Sequence, residues 1–247
     1  KMPALIQSLL LILPVHLSAE TYKYQFEWMF LPVAELSIQS NQSFQSGGKI
    51  NFDMRTDGPL KLYRQYYTNG YIENINDKNW NYYLVGNDRG VLEEKLISFG
   101  VNEYPNIKIF RDDQKASPIE IDTQKDRGAF DPFSVFLNTI KRLQMGQSCD
   151  YEYKVLDGKR RYKVSVVSHE KYDLDNSTSR YKAIKCRFTV PKTIESEANV
   201  KRKSWPFDGN EKYIDIWFSN DQSFMPEKYV INTPIGKIIG KIEHHQN

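Results

Sequence analysis

Side chains that carry chemistry are scarce in this sequence. It has two cysteines, Cys149 and Cys186, and four histidines, two of them the adjacent pair His244 and His245. Structural zinc sites draw four ligands from Cys and His at close spacing. No such cluster can be assembled, so no metal is expected. A phosphate-cradling G-x-x-x-x-G-K loop and a G-x-S-x-G elbow are both missing, which removes two common routes to nucleotide and acyl chemistry. No cofactor is expected. Charge of either sign is not in excess: 34 Lys and Arg face 31 Asp and Glu. A net charge of +3 gives no broad field for nucleic acid. After the first twenty residues no apolar run reaches the about 20 residues that span a bilayer as a helix, so no transmembrane span is expected.

The opening KMPALIQSLLLILPVHLSAETY does carry an apolar run, from Ala4 to Val15. Lys1 precedes it, and small Ser18 and Ala19 follow before Glu20. Basic charge, short apolar core and small-residue exit are the parts of a secretory signal. The expectation is a signal peptide over 1–19, cleaved near Ala19, and a single β-rich domain over 20–247. Residues 1–19 hold one Lys and no acid, so the remainder has 33 cations against 31 acids, a net charge of +2. In an oxidising compartment Cys149 and Cys186 are disulfide candidates. A bridge requires Cα atoms within about 7 Å, which the sequence leaves open.

The rest reads as β almost throughout. Tyr22, Tyr24, Phe26, Trp28 and Phe30 share one parity while Lys23, Gln25 and Glu27 take the other. Such alternation marks a strand with one buried face. It breaks at Pro32 and resumes over 35–39, which suggests a hairpin. Further strands are expected at 49–55, 65–72, 81–84, 106–111, 181–190, 212–219, 227–233 and 235–243. Asp157-Gly158 is a type I′ turn signal. A two-residue loop there sets Tyr153 opposite Tyr162 and Glu152 opposite Lys163, with 159–161 on the wet face. In 217–229, Asn220-Asp221 is turn chemistry and Pro226 opens the returning strand. One segment is strongly helical, FDPFSVFLNTIKRLQMG. Asp131 suits the N-cap, Pro132 the first helical position and Gly146 the stop. Phe133, Phe136, Leu137, Ile140 and Leu143 form its apolar stripe, which must cover a sheet. The fold class expected is α+β, mostly β: a large curved antiparallel sheet or open barrel with one principal amphipathic helix packed on it. The polar stretch 191–210 reads as a long exposed loop.

The order of these pieces resembles a bacterial exported family, domain of unknown function 3108. The pieces are YKYQFEWMFLPVAELSIQ, RTDGPLKLYRQYY, FDPFSVFLNTIKRL, VLDGKRRYKVSVV, YKAIKCRF and IWFSNDQSFMPEKYVINTPIGKIIGKIE. The basic loop near residue 200 and Cys149 depart from that pattern. The resemblance implies a periplasmic or otherwise exported protein of Gram-negative bacteria. It assigns no reaction, so no catalytic residue is carried over.

Candidate sites follow from residue type alone. Lys201, Arg202 and Lys203 beside Trp205 and Phe207 combine cations with rings, a mixture suited to an anionic glycolipid or glycan. Without a ligand the same stretch is a solvated loop. Tyr24, Trp28 and Tyr66, with Tyr22, Phe26 and Tyr67, either line a concave cavity or fill a β core. His169 reads as a solvated or satisfied residue in a polar loop. Asp112, Asp131 and Glu195 are carboxylates whose pairing for glycan hydrolysis needs coordinates. The leading expectation is a non-enzymatic cell-envelope protein holding a lipid, lipopolysaccharide or glycan in the concavity of its sheet. A scaffold that binds another envelope protein and a carboxylate-dependent glycan hydrolase are the alternatives.

Overall fold

A computed structural model describes residues 20–246 except 41–47, 64, 77, 114–117, 176–179, 191–193, 197–211, 222 and 234–235. The first half forms β1 (Glu20–Trp28), β2 (Leu31–Ser40), β3 (Lys49–Thr56), the short α1 (Leu60–Tyr63), β4 (Tyr66–Asn76), β5 (Asn79–Asp88), β6 (Val91–Gly100) and β7 (Asn106–Arg111). Then come α2 (Pro132–Gln144), β8 (Tyr151–Leu156), β9 (Arg160–Asp175), β10 (Arg180–Val190), β11 (Glu195–Ser196), β12 (Lys212–Ser219), β13 (Pro226–Thr233) and β14 (Gly236–Gln246). All the strands belong to one sheet, ordered β11-β9-β10-β12-β13-β14-β1-β2-β3-β4-β5-β6-β7, with β8 also on β9. The strand pairings are antiparallel, and the first and last strands meet at the centre of the sheet.

The sheet coils around α2 without closing. Asp131 caps the helix, its carboxylate accepting from the Phe133 and Ser134 amides at 2.9 and 2.7 Å. It also accepts from the Trp80 indole of β5 at 3.0 Å, which ties the helix start to the sheet. Phe133 stacks on Phe52 of β3 at 4.6 Å, while Phe136 packs against Phe218 of β12 on the other side. Val135, Ile140 and Leu143 are buried with Tyr24, Tyr153 and Phe218, and Leu137 packs with Trp80 and Ile97. The helix was expected to cover a sheet with one stripe; instead the sheet wraps it, and Ser134 and Thr139 are buried as well. Gly70 of β4 makes room for this packing, because a Cβ there would lie 2.6 Å from the Phe52 ring.

The two ends of the sheet are bridged by side chains and by the tip of the β8–β9 hairpin. Gly158 lies against Ile97, Ile107 and Ile109 of β6 and β7. Lys95 of β6 donates to the Asp157 carbonyl at 3.2 Å, and Lys159 pairs with Glu93. Phe130 bonds both ways with β8, through Lys154 O and the Leu156 amide, each at 2.9 Å.

Three expectations are corrected here. The β8–β9 register places Tyr153 opposite Val164 and Lys154 opposite Lys163, two residues away from the expected pairing. The Asp157 amide bonds the Arg160 carbonyl, so Gly158 and Lys159 form the turn, with Gly158 at φ +92°; glycine in the first central position is the type II′ pattern. Asp157 braces the turn from outside, accepting from the amides of 159 and 160. An even shift keeps the faces, so Tyr153 and Val155 still point inward. The run 159–161 is not a wet face: Lys159 is 7% exposed, and Arg161 is gripped by Asp126 and Glu195. Finally, part of the expected 191–210 loop is ordered, with Ile194 on the core and Glu195 paired with Arg161 across β11–β9. The remainder of that loop lies outside the described residues.

Candidate functional site

Because α2 fills the concavity, the surfaces that can be reached are outside. On the outer face of β2 to β5 the residues that alternate away from the core form cross-strand rows. One row runs Gln39, Asn51, Tyr71, Tyr83, and its neighbour runs Ser37, Asp53, Asn69, Val85. Strands lie about 4.8 Å apart, so each row is a nearly continuous line of side chains. The Tyr71 and Tyr83 rings stack at 5.0 Å, and the Lys49 ammonium sits 3.6 Å over Tyr71. Tyr83 donates to Glu94 at 2.9 Å, and this bond to a carboxylate holds its hydroxyl above the usual phenol range. Asn69 donates to the Tyr67 hydroxyl at 2.8 Å. Ser37, Gln39, Asn51, Asp53, Asn69, Tyr71 and Tyr83 of these rows, with Tyr67, line a shallow groove of about 470 Å³. Flat rings flanked by amides, hydroxyls and one carboxylate are suited to a polyhydroxylated chain, since rings cover its C–H faces and amides meet its hydroxyls.

A larger groove, about 580 Å³, opens between β8, β9 and the 124–129 segment. Its apolar floor is Ala129, Val155 and Tyr162, and its rim is charged. Those charges answer one another. Lys125 and Arg161 contact Glu195 at 2.9 and 3.0 Å, and Lys163 meets Glu152 at 2.7 Å. The Lys125 ammonium, followed by Arg161, holds Glu195 below the usual carboxylate range. Hydrogen bonding to Asp126 raises Arg161. This groove is built as an internal ion-pair lattice before it can serve a ligand.

The residues singled out from the sequence are dispersed. Tyr24 is 1% exposed and packs edge-on against Tyr229 at 5.4 Å, inside the core. Trp28 is half-buried at the end of β1, and Tyr66 is half-buried on the inward parity of β4. Lys201, Arg202, Lys203, Trp205 and Phe207 lie outside the described residues, as does the expected signal segment. Cys149 and Cys186 are joined in a disulfide with Cα atoms 6.3 Å apart. Asp221 is a turn residue that accepts from the Ser223 and Phe224 amides and both serine hydroxyls; burial alone would raise its carboxyl, but these bonds hold it below the usual range. His169 belongs to β9 rather than a loop, and its Nε2 is buried without a hydrogen-bond partner among the described residues. The three carboxylates do not assemble. Asp131 caps α2 and burial raises its carboxyl, Glu195 holds Lys125 and Arg161, and Asp112 accepts from the Leu92 amide at 3.3 Å. Among the described residues no group of three or more His, Cys, Asp or Glu could hold a metal ion.

The outer rows were missed in the sequence. Their signal is the segment YTNGYI (67–72), where Tyr67, Asn69 and Tyr71 share a parity opposite to Thr68, Gly70 and Ile72. Aromatics on the wet parity of a strand are the clue.

The sequence matches the family described as "Protein of unknown function (DUF3108)" over residues 23–243. No curated protein matches it. Among solved structures it is similar to the crystal structure of a β-barrel-like protein of domain of unknown function DUF1849 from Brucella abortus. That likeness has a TM-score of 0.61 and 13% identity, over 94% of this chain and 98% of that one. A crystal structure of "a putative lipoprotein" from Parabacteroides distasonis matches with a TM-score of 0.40 and 9% identity, over 94% and 96%. At such identities the first likeness concerns the fold alone.

Proposed function

The chain belongs to the DUF3108 family, and from that premise we propose that it is an exported, non-catalytic protein of the cell envelope that holds a glycan chain against the outer face of β2 to β5. The observation that carries this reading is the pair of cross-strand rows centred on stacked Tyr71 and Tyr83, with Asn51, Asp53 and Asn69 beside them. The buried Cys149–Cys186 disulfide supports export, because such bonds persist in oxidising compartments. The segment 1–19 reads as the signal that would direct the chain to the periplasm. A non-catalytic role is supported by the fate of Asp131, Glu195 and Asp221, committed to a cap, an ion pair and a turn. No helix among the described residues is long and apolar enough to cross a membrane.

The test is titration of the purified chain with neutral and acidic envelope oligosaccharides, followed by amide chemical shifts. Shifts should cluster on β3 to β5, and Tyr71→Ala with Tyr83→Ala should weaken binding by roughly tenfold or more. Shifts confined to β8–β9, or no binding to any envelope glycan by the folded chain, would refute the site.

A further inference from the structure

The β1–β2 hairpin ends in a turn that neither backbone preference nor burial accounts for. Trp28 pairs with Leu31, leaving Met29 and Phe30 as a two-residue loop, and both have positive φ, 49° and 68°. That is the type I′ pattern, which strongly favours Asn-Gly or Gly-Gly because bulky side chains are disfavoured in the left-handed region. Here the two positions carry large apolar side chains, and these recover nothing from the core: Phe30 is 94% exposed and Met29 68%. The neighbours extend the same character. Leu31 is half-exposed, and Leu62 of α1 is 87% exposed. The chain entering α1 lies on the base of this hairpin, with Gly58 against Pro32 and the Asp57 amide bonded to the Val33 carbonyl at 2.8 Å. The indole of Trp28 sits behind the tip over Gly236, next to the exposed Lys237, while Lys61 of α1 is paired with Asp57 at 2.8 Å.

We infer that this tip is a membrane-contact element that seats Met29, Phe30 and Leu62 among the acyl chains of an anionic lipid surface. Its shape decides between occupants. The feature is a protruding corner rather than a groove, so it enters a partner instead of receiving one. A protein socket would have to match four side chains on two separate elements; a lipid interface adapts to them. Apolar tip, indole behind it and the exposed Lys237 beside it follow the order of a bilayer's own layers: acyl chains, interface, anionic headgroups. The inference is independent of the glycan reading, since the tip and the tyrosine rows are separate surfaces.

The test is co-sedimentation of the purified chain with vesicles of phosphatidylethanolamine and phosphatidylglycerol, beside vesicles of phosphatidylcholine alone. The chain should pellet with the anionic vesicles and less with the neutral ones. The decisive variant combines Met29→Asn with Phe30→Gly, which supplies the pair preferred by the turn. It should fold at least as stably by thermal melting, yet bind anionic vesicles about thirtyfold more weakly, with oligosaccharide titrations unchanged. An unmodified chain that stays in the supernatant overturns the inference, and leaves an apolar socket on a protein as the alternative. Equal pelleting by the variant overturns it too.

Discussion

Replacing both Cys149 and Cys186 by alanine measures how much of the fold depends on an oxidising compartment. The bridge joins residues 37 apart in sequence, from just before β8 to the middle of β10. It therefore staples the end of the sheet that carries the hairpin tip. For a loop of this size the chain-entropy estimate is about 4 kcal/mol of stability at about 25 °C, gained by restricting the unfolded chain. Both residues are fully buried, so alanine also removes core volume and the loss should not be smaller than this. With a urea dependence of about 3 kcal/mol per molar, the unfolding midpoint should fall by about 1.3 M. Urea titration followed by tryptophan fluorescence reads this directly, and wild-type protein unfolded in strong reductant should show a similar fall that is smaller by the cavity contribution alone. A shift below about 0.3 M would refute the reasoning, because it would mean that the staple restrains little in the unfolded chain.

Three further perturbations test how the ends of the sheet and the helix are held. Asp131→Ala strips the helix cap and leaves the buried Trp80 indole without its acceptor, so stability to urea should drop by about 2–4 kcal/mol. For Asp215, burial raises the carboxyl, but Arg187 at 2.7 Å and Lys185 at 3.0 Å overcome this and hold it below the usual range. A depressed folded value stabilises above the unfolded value of about 3.9 and is lost as pH falls through the folded one; the stability gap between wild type and Asp215→Asn should therefore shrink below about pH 4 in acid-unfolding titrations. Glu93→Gln leaves Lys95, Lys159 and Arg111 facing each other around a neutral group, which should cost about 3 kcal/mol and speed hydrogen exchange at the Ile119 amide, whose acceptor is Gly158 at the hairpin tip.

Where one physical rule acted alone, the sequence was legible. Strict alternation located β1, and Asp131 with Pro132 and Gly146 located α2, because capping is local chemistry. The same holds for the turn around Asp221. Legibility failed where distant contacts overrode the local pattern. β6 escaped because its inward parity includes Lys95, which only the Asp157 carbonyl and Glu93 make tolerable inside. The β8–β9 turn was misplaced by one position on each strand, because Asp157 spends its side chain bracing the loop while Gly158 reaches across to β6 and β7. The break at Pro32 announced the β1–β2 hairpin, but its tip lies earlier, at Met29 and Phe30, which are not turn residues. As for the candidate site, residue type pointed to rings and cations but could not say which rings face water. That depends on strand register across four strands, which no single segment encodes.

The wrapping of the sheet around α2 constrains any account of binding. For a ligand to occupy the concavity, the helix would have to leave it. Phe133, Val135, Phe136, Leu137, Ile140 and Leu143 all pack on the surrounding sheet. Returning even half of that apolar surface to water costs about 1 kcal/mol or more per side chain, and the Trp80–Asp131 bond and the cap would be lost in addition. The sum approaches the about 5–15 kcal/mol that holds a whole domain together, whereas a micromolar ligand returns only about 8 kcal/mol. Recognition that leaves the fold intact therefore falls to what the coil presents outward. The two surfaces proposed here for that role, the polar aromatic rows of β2 to β5 and the apolar corner between β1 and β2, differ in chemistry: one is flat and hydrogen-bonding, the other apolar and exposed.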